Sequence, residues 1–144
     1  MRQSQDIAIS NQYQARFDSF LSIQLGLLEN VHTLRFTGGI VRSRYREIAS
    51  VDQLTLLETM DDEELGATYL YAFMTLKQFD NLYFQYQAGF LADTSWQPLQ
   101  AACRAFLAGG AQIVYQITRH ELRSEFQQLV DEMIDETDQE MGSE

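Results

Sequence analysis

The stretch from Asp61 to Trp96 limits the fold most, because it reads as one long helix carrying aromatic residues almost turn by turn, then a stop, a turn and a new start. Tyr69, Tyr71, Phe73, Phe79, Tyr83, Phe84, Tyr86 and Phe90 hold roughly half of the chain's aromatic side chains, so the core has to be organised around this segment. Asp61, Asp62, Glu63 and Glu64 open it; carboxylates are favoured there by the orphan N–H groups and the positive end of the helix dipole. Leu65, Tyr69, Ala72, Phe73, Leu76, Phe79, Tyr83 and Tyr86 then keep helical spacing, while Leu70, Met74 and Leu82 make a second stripe. Both sides of such a helix need cover, which makes it the central helix of a bundle. Gly89 is its expected end, and Asp93 or Thr94 the cap of the next helix. That helix carries Trp96, Leu99, Ala102, Cys103 and Phe106 inward, with Pro98 tolerated in its first turn.

Upstream, one helix is expected from about Ser4 to about Phe36. Its apolar residues Tyr13, Phe17, Phe20, Leu27, Val31 and Leu34 alternate steps of four and three, with Gln24 filling one slot. Leu21 and Leu28 widen this near-heptad stripe, so packing into a bundle is favoured at least as much as pairing with a second copy. About 30 residues of helix extend about 45 Å, more than a compact domain of this size requires, and residues 1–12 are expected to project or fray. Gly38 and Gly39 read as its stop, followed by a short helix from Ile40 to Ile48 and a connection from Ser50 to Met60 with one helical turn. Past Trp96, Gly109 and Gly110 break the chain again before a short helix through Ile113, Val114 and Ile117. The last element starts at Arg119 or Ser124, runs to about Asp135 and presents Leu122, Phe126, Leu129, Val130, Met133 and Ile134. Residues 137–144 read as an acidic, disordered tail. With no repeat, sustained strand alternation or linker, the expectation is all-α: a single-domain helical bundle over residues 1–136.

Charge narrows the partners. A formal net charge of -11 opposes nucleic-acid binding, which depends on Lys and Arg neutralising phosphates. Arg35, Arg42, Arg44 and Arg46 form a local basic stretch, whereas only acids follow Arg123, from Glu125 to Glu144. They make a solvated face, or an acidic docking surface for a basic partner or for that basic stretch. The single cysteine, Cys103, excludes an intramolecular disulfide and fits a reducing compartment. Neither a signal peptide nor a membrane span is expected: Met1 to Ser10 has no apolar run behind it. The longest uncharged stretch, Ala105 to Thr118, is shorter than a span requires.

No set of residues spells out a reaction. A di-iron carboxylate bundle needs two Glu-x-x-His pairs; Glu29 and His32 make one, but Ile117 stands three residues before His120. Cys103 shares a face with Leu99 and Phe106, which favours a buried inert thiol over a nucleophile served by His120 and Glu121. The glycine pairs lack the spacing and the lysine of a phosphate loop. Catalytic residues, metal and cofactors are therefore all expected to be none. Asp80 and Asn81 stand out, polar in the middle of the aromatic helix, and need partners if buried. Arg104, Tyr115 or a backbone N–H could supply a structural hydrogen bond. The alternatives are a partly wet face, or a ligand pocket lined by Asp80, Asn81 and Tyr83.

The run from Phe79 through Leu91, then Trp96, a short helix, Glu125-Phe126 and Val130-Asp131-Glu132 resembles an uncharacterised family of bacterial all-helical proteins. Members share an aromatic-acid pair, a Tyr or His and Gln segment, a Gly-Leu-Leu, a Trp shortly after, and a terminal Phe before a Val-Asp or Val-Glu pair. The resemblance covers about Asn30 to Glu136. It implies a helical domain, often preceded by a membrane-spanning helix, and brings no activity, cofactor or catalytic residue. This chain departs from that pattern with about ten polar residues before Tyr13, so membrane association is expected only through a segment outside this sequence.

The expected function is a non-enzymatic helical interaction or scaffold domain, located in the cytoplasm, or on the cytoplasmic side of a membrane where an upstream anchor exists. Tyr13, Phe17, Phe20, Leu27, Val31 and Leu34 form its stripe for self-association or a protein partner. The alternative is a sensory domain binding a small apolar ligand at Asp80, Asn81 and Tyr83.

Overall fold

A computed structural model describes residues 2–142, leaving out the side chains at positions 2, 3, 6, 10, 13, 24, 52, 56, 141 and 142. Among the described residues every regular element is helical, and the fold is all-α. The α-helices are α1 (Arg2–Leu28), α2 (Val31–Ile48), α3 (Val51–Glu58), α4 (Asp62–Gln87), α5 (Asp93–Phe106), α6 (Gln112–Thr118) and α7 (Ser124–Gly142). They pack into two compact units, Met1–Gln78 and Phe79–Glu144, with the boundary inside α4.

In the first unit the expected single helix from Ser4 to Phe36 is two helices. α1 stops at Leu28, and Asn30 starts α2 by accepting the Thr33 N–H on its Oδ1 at 3.0 Å, as short polar side chains do at helix starts. Gly38 and Gly39, read from sequence as a stop, lie within α2. A Cβ placed on Gly38 would overlap the Asp62 carbonyl, and one on Gly66 would overlap the Leu34 carbonyl. These glycines therefore let α2 and the start of α4 approach backbone to backbone; nothing about them ends a helix. Ser50 to Met60 holds a true helix, α3. Ser50 Oγ accepts the Gln53 N–H at 3.3 Å and Gln53 Oε1 accepts the Ser50 N–H at 2.9 Å, the reciprocal pairing of a capping box.

Arg42 fastens these pieces. Its Nε donates to Asp62 Oδ1 at 2.9 Å, Nη1 to the Leu57 carbonyl at 3.0 Å and Nη2 to the Met60 carbonyl at 2.7 Å. One guanidinium thus satisfies carbonyls around the end of α3 and a carboxylate at the start of α4, both positions where a helix leaves backbone groups open. Leu34, Val41 and Tyr45 of α2, Leu57 of α3, and Leu65, Leu70, Ala72, Met74 and Leu76 of α4 are buried here.

α4 begins and ends as its sequence predicts. Asp61 Oδ1 accepts the Glu64 N–H at 2.8 Å. At the other end the Phe90 N–H reaches the Gln85 carbonyl at 2.9 Å and the Gly89 N–H the Tyr86 carbonyl at 3.1 Å. That is a Schellman closure around Gly89, whose φ of 86° a residue with a Cβ rarely adopts.

In the second unit α5 begins earlier than expected. Ala92 occupies the cap position without a side-chain bond, and Pro98 falls in the second turn. Trp96 and Cys103 point inward as expected, whereas Ala102 is exposed. The helical path breaks at Gly110, whose φ is 109°, inside a wide turn over Leu107–Ala111. A tight turn, Arg119–Glu121, precedes α7. α7 continues past Thr137 to Gly142, so the stretch 137–142, read from sequence as tail, prolongs the helix. The core of this unit includes Phe79, Trp96, Cys103, Leu107, Ile113, Val114, Tyr115, Leu122, Phe126, Val130 and Met133.

Candidate functional site

Asp80 is buried on α4, and its partner is Arg123, immediately before α7. Arg123 Nε donates to Asp80 Oδ1 at 2.7 Å, its backbone N–H donates to Oδ2 at 3.1 Å, and Nη2 reaches the Asp80 carbonyl at 3.1 Å. The two side chains are 8% and 18% exposed, so the pair sits in surroundings where an uncompensated charge would be costly. The Arg123 guanidinium also lies 5.0 Å from the Phe84 ring centroid, and Nη1 reaches Gln87 Oε1 at 3.4 Å. Both carboxylate oxygens of Asp80 are thereby engaged from within the unit. Of the partners proposed from sequence, the backbone N–H is supplied by Arg123, whereas the two side chains are committed elsewhere: Arg104 pairs with Glu136 at 2.6 Å, and Tyr115 donates to Asp131 at 2.6 Å.

Tyr83 sits in an aromatic cluster. Its ring lies 5.2 Å from Trp96, 6.4 Å from Tyr86 and 6.3 Å from Phe126, and Tyr86 stacks on Trp96 at 5.4 Å. Offset and tilted pairs at these separations add to simple area burial. The Tyr86 hydroxyl donates to Asp93 at 2.6 Å, which joins the end of α4 to the start of α5. That hydrogen bond, with smaller contributions from burial and from the carboxylate charge, raises the phenol's pKa. Asn81 is buried beside Asp80. The three ligand-binding candidates thus divide between an ion pair, a buried amide and an aromatic stack.

A second polar cluster, not anticipated from sequence, joins α6 to α7. The Arg119 guanidinium meets Asp131 Oδ2 at 2.6 Å, on the same carboxylate that takes the Tyr115 hydroxyl. Hydrogen bonding to Arg119 lowers the Asp131 pKa against the opposing effect of burial. Burial first, then the Asp131 carboxylate, raises that of Tyr115. Spacing alone hides this set, since Tyr115 and Asp131 are neighbours only once the turn at Arg119–Glu121 folds α7 back along α6.

The remaining chemical candidates stand apart. Burial pushes the Cys103 thiol up to about 12, only partly offset by Arg104, so it stays protonated at neutral pH. His120 lies exposed, 3.2 Å from Glu121. Glu29 falls in the break between α1 and α2 while His32 sits on α2, so the two no longer share a continuous helix. Among the described residues no three His, Cys, Asp or Glu side chains gather in a metal-binding arrangement, and no helix is long and apolar enough to cross a membrane.

The expected interaction stripe is split by the Asn30 break. The Tyr13 side chain lies outside the described residues. Phe17, Phe20 and Leu27 are half-buried on α1. Phe20 meets Phe73 edge-to-face at 5.2 Å, with Lys77 Nζ 5.6 Å from the Phe20 centroid and 5.8 Å from that of Phe73. Val31 and Leu34 belong to α2, where Leu34 is buried against Gly66 and Val31 is exposed. Two apolar residues outside the stripe are more open than any of these: Phe36 at 71% and Ile40 at 51%, one turn apart on the outer face of α2. No family model matches the chain, and neither a curated protein nor a solved structure does.

Proposed function

We propose that the chain is a non-enzymatic helical interaction or scaffold domain whose first unit supplies the associating surface, in self-association or with a protein partner. The observation that supports this is where exposed apolar side chains fall. Among the described residues, Ile7, Ile9, Ile23, Leu25, Val31, Phe36, Ile40, Ile48, Val51 and Tyr71 are exposed in the first unit, against Phe90 in the second. Single exposed apolar residues are ordinary, whereas adjoining ones are what an interaction surface requires, and their excess in one unit supports placing that surface there. Among them Phe36 and Ile40 are an i, i+4 pair on a helix whose opposite face is already packed against α4.

The polar arrangement favours this reading over ligand binding at Asp80, Asn81 and Tyr83, because Arg123 engages both Asp80 oxygens. The net charge of -11 makes two copies repel at low ionic strength, so added salt should strengthen self-association. A cytoplasmic location and a place in the bacterial helical family belong to the same proposal. The lone, buried Cys103 suits a reducing compartment. Light scattering on the native chain and on a Phe36→Ser/Ile40→Ser variant tests the proposal: the native chain forms a larger species that the variant loses. Equal masses for the two, with no partner retained from native lysate by either, would count against it.

A further inference from the structure

Between α2 and α3 lies a groove of about 230 Å³ lined by Arg42, Arg46, Leu54, Leu57 and Glu58. All five residues belong to the first unit. Cavities of about 150 Å³ accept a molecule as large as benzene, so this one has room for a small organic molecule. Its lining is chemically divided. Leu54 and Leu57 offer apolar surface. Arg42 is held in place by its bonds to Asp62, Leu57 and Met60, and the Asp62 carboxylate at 2.9 Å compensates its charge. That leaves Arg46 and Glu58, both exposed, with no ion pair between them or to any other described residue. One cation, one anion and a leucine floor therefore share a single groove.

A simple anion would meet Glu58 there, and a simple cation would meet Arg46. A molecule carrying both charges satisfies each, which is the small number of placed polar groups over apolar lining that marks a small-molecule site. We propose that this groove binds a free apolar amino acid, with its carboxylate at Arg46, its ammonium at Glu58 and its side chain over Leu54 and Leu57. The proposal is independent of the association surface and of any reaction. Because both charges are exposed, each contributes modestly, and binding is expected to be weak, with a Kd of about 1 mM.

The test is saturation-transfer NMR on the full chain with three probes: leucine, 4-methylpentanoate, which lacks the ammonium, and 3-methylbutylamine, which lacks the carboxylate. Leucine should bind, and each analogue should bind about fivefold more weakly, the size of one exposed charge contact. Arg46→Gln should remove leucine's advantage over the amine, and Glu58→Gln should remove its advantage over the carboxylate. Absence of leucine binding at about ten times the expected Kd overturns the proposal. So does an analogue that binds the native chain as well as leucine, or leucine binding unchanged in both variants. The analogue series uses the native chain, so it decides the matter even where a variant loses its fold.

Discussion

Adjacent glycines in α2 should respond to the same substitution with opposite signs. Gly39→Ala adds a methyl group whose closest neighbour is Asp62 Oδ2 at 3.9 Å, an ordinary contact. Replacing an interior helical glycine by alanine recovers roughly 0.5 to 1 kcal/mol of backbone entropy and propensity. Gly38→Ala gains the same propensity but drives its methyl into the Asp62 carbonyl. That oxygen belongs to a backbone that cannot turn aside, and the Asp62 side chain also holds Arg42 at 2.9 Å. Overpacking costs about 1 to 3 kcal/mol, and a backbone obstacle puts this case at the upper end. A net loss of about 2 kcal/mol follows once the propensity gain is subtracted. Urea unfolding followed by far-ultraviolet circular dichroism separates the two. With a slope of about 2 kcal/mol/M, Gly38→Ala lowers the midpoint by about 1 M while Gly39→Ala raises it slightly. Equal shifts in the same direction would refute the close crossing of α2 and α4 and restore the glycine pair as a local stop.

Other expectations follow from the second unit. Asp80→Ala leaves Arg123 Nε and the Arg123 backbone N–H without the carboxylate that accepts from them, while Nη2 keeps the carbonyl of position 80. Breaking a buried pair costs about 3 to 5 kcal/mol; the 18% exposure of Arg123 lets water recover part of this, so about 2 to 3 kcal/mol is expected. Adding Arg123→Ala should cost less than the sum of the single changes, read by the fluorescence of Trp96, the chain's single tryptophan; strict additivity would contradict the pairing. Asp131 titrates below its unfolded value of 3.8, so the stability it lends is complete above that pH and lost as the pH falls through the lower folded value. Asp131→Asn should flatten that part of the acid-unfolding curve, and an unchanged curve would remove Asp131 as a contributor. Cys103 should resist Ellman's reagent in the folded chain and react once urea unfolds it; prompt labelling of the native protein would contradict its burial.

Much of α4 and of the second unit was legible in the sequence because the signals are local. The acidic start of α4, the Gly89 ending and the break at Gly110 each depend on a few consecutive residues whose chemistry has one common outcome. The first unit misled where one residue type serves two ends. Gly38-Gly39 suits a helix stop and a helix crossing equally well, and only the position of Asp62 in space decides. The true break was signalled more quietly by Asn30, a good cap set within an apolar rhythm that reads as continuous. α3 also carried its own sign, the Ser50-x-x-Gln53 box. The peculiarity of Asp80 was visible, but the residue that pairs with it was not, since Arg123 lies 43 positions away and no periodicity links residues across three turns and two helices. The pairing of Phe36 with Ile40 was hidden for a related reason: with Gly38-Gly39 read as a stop, the two fall on separate helices, whereas in the structure they are one turn apart on α2.

Sedimentation equilibrium on the native chain, over a wide range of protein concentrations and at low and high salt, addresses the proposed role most directly. The account predicts a mass that rises with concentration, more steeply in salt, and falls back to that of a single 16.6 kDa chain when Phe36 and Ile40 are replaced by serine. A mass of one chain at every concentration and salt level, with nothing recovered on it from native lysate, would contradict the account.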